Sequence, residues 1–378
     1  MKRTFLPVGQ GAFYLERFED EVGEKINVIY DCGSSTDVKL VNDRIKQYLK
    51  NGETIDALII SHLDEDHING IPFLLKYCHV EKIYFPIIAS RNKVLMSIGF
   101  EIRGCDQFVT DFIDNPIIAV RNLQLEYEPR LIQIREYEYD SFNDYDIISI
   151  SSGQNLMDDI INSRRLHNDS LISKWEYIPY NFRQSARIEK LFIELEDKFK
   201  RKININDLEN LWRYGLNNDR DEIKEAYKKV PGTLNTNSMT LFSGTTNSES
   251  FQYVNCRDGC FCTRFCQWCV DVCQKQMSGC LYMGDYDASG SQKWMNLKEA
   301  YKLYWNNIGC VQVPHHGSRH NFNKELLAIK CIYVISAGYS NKYRHPHATV
   351  LKQFIFNHII PYIVTEYDES ELSISVIL

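Results

Sequence analysis

Ser61-His-Leu-Asp-Glu-Asp-His-Ile-Asn-Gly70 decides the reading of this chain. It sets His62, Asp64, Asp66 and His67 within six positions, directly after the apolar run Ala57-Leu-Ile-Ile60. A run of that length, β-branched at Ile59 and Ile60, predicts a buried strand. The polar cluster then sits at the strand's C-terminal edge, ahead of a short helix over 71–77. Side chains alternate along extended backbone, so His62, Asp64 and Asp66 are expected on one side, with His67 turning in behind. Two imidazoles and two carboxylates gathered there desolvate and repel one another unless a cation sits among them. The plainer alternative is a solvated acidic loop with incidental histidines.

The rest of the chain weighs against that alternative. Gly284-Asp285 ends the apolar run Cys280-Leu-Tyr-Met283. Val311-Gln-Val-Pro-His-His-Gly-Ser318 places His315 and His316 at the end of another expected strand. His345-Pro-His347 follows the strand-like stretch 331–336. Three further strand ends, distant in sequence, therefore deliver Asp or His.

These pieces resemble the metallo-β-lactamase fold, in the branch typified by the soluble hydrolase domain of the competence protein ComEC. The resemblance is carried by Val8-Gly-Gln-Gly11, Tyr30-Asp-Cys-Gly33, the 61–67 motif, Asn235-x-Asn-Ser-Met-Thr-Leu241, Gly284-Asp285, Pro314-His-His-Gly-Ser318, His345-Pro-His347 and Thr365-Glu-Tyr-Asp368. It covers about 1–90 and 231–378. Ala12 stands where the family usually has an acidic residue, and Asp64 where the wider superfamily has a histidine. His79 and His167 are the only candidates for the superfamily's isolated third-motif histidine, and both read as surface residues. The first metal site is therefore expected to be short of a nitrogen ligand.

The resemblance implies an α/β (α+β) chain forming a four-layer αββα sandwich with a site along one edge. It implies two divalent ions, zinc or manganese. His62 and Asp64 would serve one and Asp66 and His67 the other, with Asp285 bridging and His315 or His316, preferably His316, adding a nitrogen. Asp64 in place of an imidazole hardens the first site and brings manganese into consideration. Water on such ions loses a proton near neutral pH and becomes a hydroxide nucleophile, with Asp66 in the catalytic centre. His345 or His347 is expected to protonate the leaving group or hold a phosphate. Ser318 and Arg319 are expected to bind phosphate, and Asp31 to orient a ligand histidine.

Composition bounds these expectations. The 378 residues are 44% hydrophobic, enough for a large core, and carry a net charge of −7. That charge argues against a protein that coats nucleic acid, whose domains run basic. It leaves a nuclease open, because bound cations reverse the local field. Met1-Lys-Arg-Thr-Phe-Leu-Pro-Val8 lacks the apolar stretch of a signal peptide. No stretch approaches the ~18–20 apolar residues of a membrane span, and a cytoplasmic location is expected.

Seven of the twelve cysteines lie between Cys256 and Cys280. In a cytosolic protein such clustering favours metal or reduced thiols over disulfides. A helix over 262–273 would spread its four cysteines over ~16 Å, too far for one tetrahedral ion. A hairpin could instead close a structural zinc site from Cys256 or Cys260 with Cys266 and Cys269. An apolar packing face and a redox role are the alternatives.

Along the chain, 1–90 reads as the first half of the sandwich, 91–230 as a largely helical insert, and 231–378 as the second half. A cysteine-rich insertion at 245–280 is expected to protrude as a hairpin. Strands are expected at 4–8, 12–16, 27–31, 56–61, 82–85 and 117–120, and a helix at 38–50. Helices are expected at 187–201, from about 206 to 216, and at 219–229, ended by Pro231-Gly232. Function is expected to be metal-dependent hydrolysis of a phosphodiester, with nucleic acid as the partner and no membrane. Stand-alone proteins of this kind would suit mobile-element or antiviral settings. The alternatives are hydrolysis of a small ester, lactone or cyclic nucleotide, and a non-catalytic module that binds proteins through its inserts.

Overall fold

The structure, a computed structural model, describes residues 1–19, 25–88, 90–137, 147–161, 172–182, 188–230, 238–246, 250–254 and 276–377. Cys256, Cys260, Cys266 and Cys269, and with them the structural zinc reading, lie outside the described residues. So does His167.

Two sheets face each other. The larger runs in the order Gln276–Met277, Phe251–Val254, Leu372–Ile377, Lys2–Phe5, Gly11–Glu19, Lys25–Ser34, Ala57–Ile59, Lys82–Pro86, Arg130–Ile134 and Ile148–Ile150. From Lys25–Ser34 onwards its strands are parallel. The smaller sheet runs Glu176–Asn181, Met239–Gly244, Gly279–Tyr282, Ile308–Gln312, Ile332–Ser336 and Tyr362–Val364. Tyr14, Tyr30 and Tyr84 from the first sheet meet Tyr177, Leu241, Tyr282 and Val334 from the second in the central core. The outer face of the first sheet is covered by the helices Val38–Tyr48 and Ile71–Tyr77, which supply Val41, Ile45, Ile71 and Leu74. Trp294, Leu297, Val350 and Phe354, on the helices Ser291–Ala300 and Ala348–Phe356, cover the outer face of the second. This is the expected four-layer sandwich, with helices outside both sheets.

The inner layer holds a buried ion pair. Arg3 donates through Nε to Glu16 Oε1 at 2.6 Å, and Tyr177, Ser243 and Tyr282 donate hydroxyls to the same carboxylate. Arg3 Nη1 donates to Gln252 Oε1 at 2.7 Å. Strands from both sheets are thus tied by one polar network in which the two buried charges are paired, the condition for tolerating them.

Several local expectations change. Residues 117–120 are not a strand; they lie in the helix Pro116–Arg121. Asn115 caps its start by accepting from the backbone N–H of Ile117 and Ile118, and Pro116 occupies the first turn, where its missing donor costs nothing. The segment 91–230 also supplies strands to both sheets, at Arg130–Ile134, Ile148–Ile150 and Glu176–Asn181. Its helices Ser90–Arg103, Ile188–Phe199, Ile205–Tyr214 and Asn217–Lys229 share a separate core around Leu191, Leu208 and Ile223. Asn204 and Asp207 form a reciprocal cap at the start of Ile205–Tyr214. Phe251–Val254 pairs with Leu372–Ile377 in the first sheet, although it follows a strand of the second. Among the described residues, no helix is long and apolar enough to cross a membrane.

Candidate metal centre

The motif residues are placed by a strand, a corner and one helical turn. Ala57–Ile59 delivers His62, Asp64 stands at the N-cap position of the turn Glu65–Ile68 without a side-chain cap bond, and Asp66 and His67 lie within that turn. Asp66 is therefore not part of an extended segment, as alternation suggested. The turn packs over Gly33, where a Cβ would stand 2.6 Å from the backbone of Asp66 and His67.

The second sheet brings the other groups. Asp285 follows Gly279–Tyr282. Gly284 has φ 51°, and a Cβ there would collide with Ser61 and Ser238, so the two strand ends approach as only glycine permits. His315 and His316 follow Ile308–Gln312, with φ 49° and 55°. Two successive non-glycine residues in the left-handed region carry strain of a kind concentrated at functional sites. The backbone N–H of His315 donates to Gly284 O at 2.9 Å, fixing this corner against Asp285.

Hydrogen bonds set the tautomers of three imidazoles. Nδ1 of His316 lies 2.7 Å from the carbonyl oxygen of Ser336 and must donate to it. Nδ1 of His67 lies 2.8 Å from Asp31 Oδ2 and donates to that carboxylate. Ser61 gives its hydroxyl proton to Asp31 Oδ2 at 2.7 Å, so His62 Nδ1, 2.9 Å from the same hydroxyl oxygen, donates to it. In the neutral rings all three Nε2 atoms are left with lone pairs.

Those lone pairs converge. Asp285 Oδ1 is 3.5 Å from His67 Nε2 and 3.8 Å from His316 Nε2. Its Oδ2 is 3.6 Å from His62 Nε2 and 3.4 Å from His315 Nε2. His316 Nε2 is 3.3 Å from Asp66 Oδ2. Nε2 of His62, His67 and His316 and Oδ1 of Asp285 are buried without a hydrogen-bond partner. Acceptors facing acceptors in a buried site is the arrangement a cation resolves. His62, His67 and Asp285 form one ligand-sized group, and Asp66, His67 and His316 another. The donor set therefore fits divalent metal.

Without a cation, protons take its place. Burial opposes a charge on His67, but Asp31 and Asp66 outweigh it and hold its pKa well above the usual histidine value. Burial likewise opposes a charge on His316, and Asp66 and Asp285 raise its pKa. Burial and neighbouring His67 lower that of His62. Burial resists ionisation of Asp285, but His315, His62 and His67 hold its carboxyl well below the ordinary range.

The remaining expected residues divide between the rim of the cluster, where Asp64 and His345 stand, and positions away from it. Asp64 lies 3.9 Å from His62 Nε2 and 3.5 Å from Arg103 Nη2. His345 is near, its ring centroid 5.5 Å from that of His315 and 6.3 Å from that of His316. Burial, His316 and His315 push its pKa down to about 4. His347 instead caps the helix Ala348–Phe356, its Nδ1 accepting from Thr349 N–H at 3.1 Å. Ser318 is buried and accepts from His320 N–H, while exposed Arg319 contacts the His320 ring; neither lines the cleft above the cluster. His79 is exposed on the short strand His79–Val80.

That cleft, about 260 Å³, is also lined by Arg103, Lys342 and Tyr343, which sequence reading did not single out. Arg103 arrives from the end of Ser90–Arg103 with no motif to mark it. Lys342 and Tyr343 stand just ahead of His345-Pro-His347, separated from it by Arg344, and that proximity was the available signal.

Residues 8–118 match the family model described as metallo-beta-lactamase superfamily. That stretch is thus similar to the superfamily, in keeping with the mixed α/β sheets and helices described above. Ribonuclease J of Mycoplasma genitalium is 36% identical over 89 residues, 22% of this chain and 15% of that protein. Ribonuclease J of Mycoplasma pneumoniae matches with the same identity, length and coverage. The chain thus spans about 15% of the length of these curated relatives.

Proposed function

We propose that this protein is a metal-dependent phosphodiesterase acting on nucleic acid. The observation that carries the reading is the Asp285 carboxylate, with one oxygen facing His67 and His316 and the other facing His62 and His315. A carboxylate so flanked suits a bridging ligand between two cations. His62, His315 and Asp64 would hold one ion, Asp66, His67 and His316 the other. Zinc or manganese suits this mixed donor set. When bound, such ions supply Lewis acidity and an activated water.

The chain's own residues do the rest. Asp31 and Ser61 hold two imidazoles in the tautomer that presents Nε2. His345 stands beside the cluster, its ring centroid 5.5 Å from that of His315. Its role is to offer an N–H to a phosphoryl oxygen or a proton to the leaving group. Arg103 at the cleft mouth neutralises charge on a phosphodiester.

Nucleic acid as substrate is supported by the partial likeness to proteins named Ribonuclease J and by the ComEC-like motif order. A second reading, hydrolysis of a small ester or cyclic nucleotide, is favoured by the modest volume of the cleft.

Purified protein supplied with manganese or zinc is to be tested on single-stranded DNA, duplex DNA, RNA, cyclic nucleotides and a lactone. Cleavage of a polynucleotide is expected; fast lactone turnover with inert nucleic acid overturns the reading. Metal content by mass spectrometry should fall from about two ions to one or none in Asp285→Ala. Unchanged content removes the bridging role.

A further inference from the structure

The cleft continues past the metal cluster. A second cavity of about 280 Å³ adjoins it, and Gln10, Ser35, Lys342 and Tyr343 line both. The Tyr343 ring is 52% exposed and lies 5.8 Å from the His345 ring at an angle of 24°. Aromatic surface therefore begins where the imidazole cluster ends. Lys342 Nζ stands 5.1 Å from the Tyr343 ring centroid. Beyond the far end, Tyr339 and Tyr367 form an edge-on pair with centroids 6.0 Å apart, 74% and 55% exposed. They neighbour Ser340 and Glu366, which line the second cavity.

Tyr343 along this groove, and Tyr339 and Tyr367 next in sequence to residues that line the second cavity, are an unusual use of apolar surface, because folding gains nothing from leaving them in water. The exposed cations Lys342 and Arg344 flank Tyr343 in sequence, and Lys342 lines both cavities. Arg103 stands over the cluster, 3.5 Å from Asp64. Aromatic faces interleaved with cations match a chain of bases joined by phosphates, provided the bases are unpaired and their faces free. A duplex keeps those faces stacked on its own neighbours.

We propose that this groove is a track for single-stranded polynucleotide, in which a base beside the cleaved phosphodiester lies on Tyr343 while Arg103 and Lys342 hold the flanking phosphates. The inference rests on the phosphodiesterase reading and adds the strand state of the substrate. Selectivity for single strands then arises from stacking and not from base-edge hydrogen bonds, so sequence preference is weak.

The test is fluorescence anisotropy of the metal-loaded full chain with labelled single-stranded RNA, single-stranded DNA and the matching duplexes, with cleavage read on gels from the same samples. Tyr343→Ala should weaken single-strand binding roughly tenfold, and Tyr343→Phe, which keeps the ring, should restore it. Lys342→Ala should reduce the slope of log affinity against log salt by about 0.7, the loss of one phosphate contact. The RNA and DNA arms identify which polynucleotide is held. Equal affinity in Tyr343→Ala, or duplexes bound as tightly as single strands, overturns the track. Cleavage that persists while binding ignores Tyr343 removes the track and keeps the hydrolase. Ring-dependent binding without any cleavage keeps the track and removes the hydrolase.

Discussion

Gly33 presses against His67: a methyl group on Gly33 would stand 2.6 Å from the His67 backbone. The turn that carries two motif residues rests on a strand at a distance only a bare α-carbon allows. Gly33→Ala should push Glu65–Ile68 outward, costing about 1–3 kcal/mol as overpacking does. Metal retention should suffer more than the fold. Thermal melting and metal analysis on the same samples check this, and full metal content in the variant would contradict it.

Asp31 holds His67 from behind. Asp31→Asn keeps the shape but removes the charge that draws Nδ1–H and accepts from Ser61. Metal affinity should fall about 10–100-fold, as is usual when such a partner is lost. A chelator competition titration measures it. Wild-type affinity would mean that Ser61 and packing alone fix the rings.

His345 gives a pH signature in metal-stripped protein. Its pKa is about 4 when folded, below the ordinary histidine value. As pH falls below about 6.5 the unfolded chain takes up a proton that the folded chain refuses, so stability drops until the folded pKa is passed. His345→Gln removes this contribution. The variant should therefore lose less stability than wild type between about pH 6.5 and 4. Urea titrations at several pH values check it, and parallel curves would refute it.

The Arg3–Glu16 pair makes a separate prediction about the scaffold. Glu16→Ala strands a buried guanidinium and should destabilise by about 3–5 kcal/mol. Replacing both residues with apolar ones of similar size should recover much of the loss. Urea denaturation of the single and double variants measures the difference.

How much was legible depended on distance along the chain. His62, Asp66 and His67 could be read together because one strand end and one turn bring them together. Asp285 and His316 were legible because each ends an apolar strand in a recognisable way. Arg103 was not, since its position follows from how a long helix packs against distant ones. Residues 117–120 misled because a short apolar run fits either period; Asn115-Pro116 was the helix signal. Ser318 and Arg319 follow His316 closely in sequence, but they do not line the cleft beyond the left-handed corner at 315–316. Phe251–Val254 crosses to the other sheet through pairing that no local pattern records.

The cluster straddles a seam. Residues 8–118, the stretch matched by the superfamily model, contain His62, Asp64, Asp66 and His67 but neither Asp285 nor His315 and His316. The halves are clasped beside it by the backbone N–H of Met239, which donates to Ser61 O at 2.7 Å. Transplanting the recognisable motif into another host would therefore move a signature without its chemistry. Two separately expressed halves should regain metal only upon reassembly.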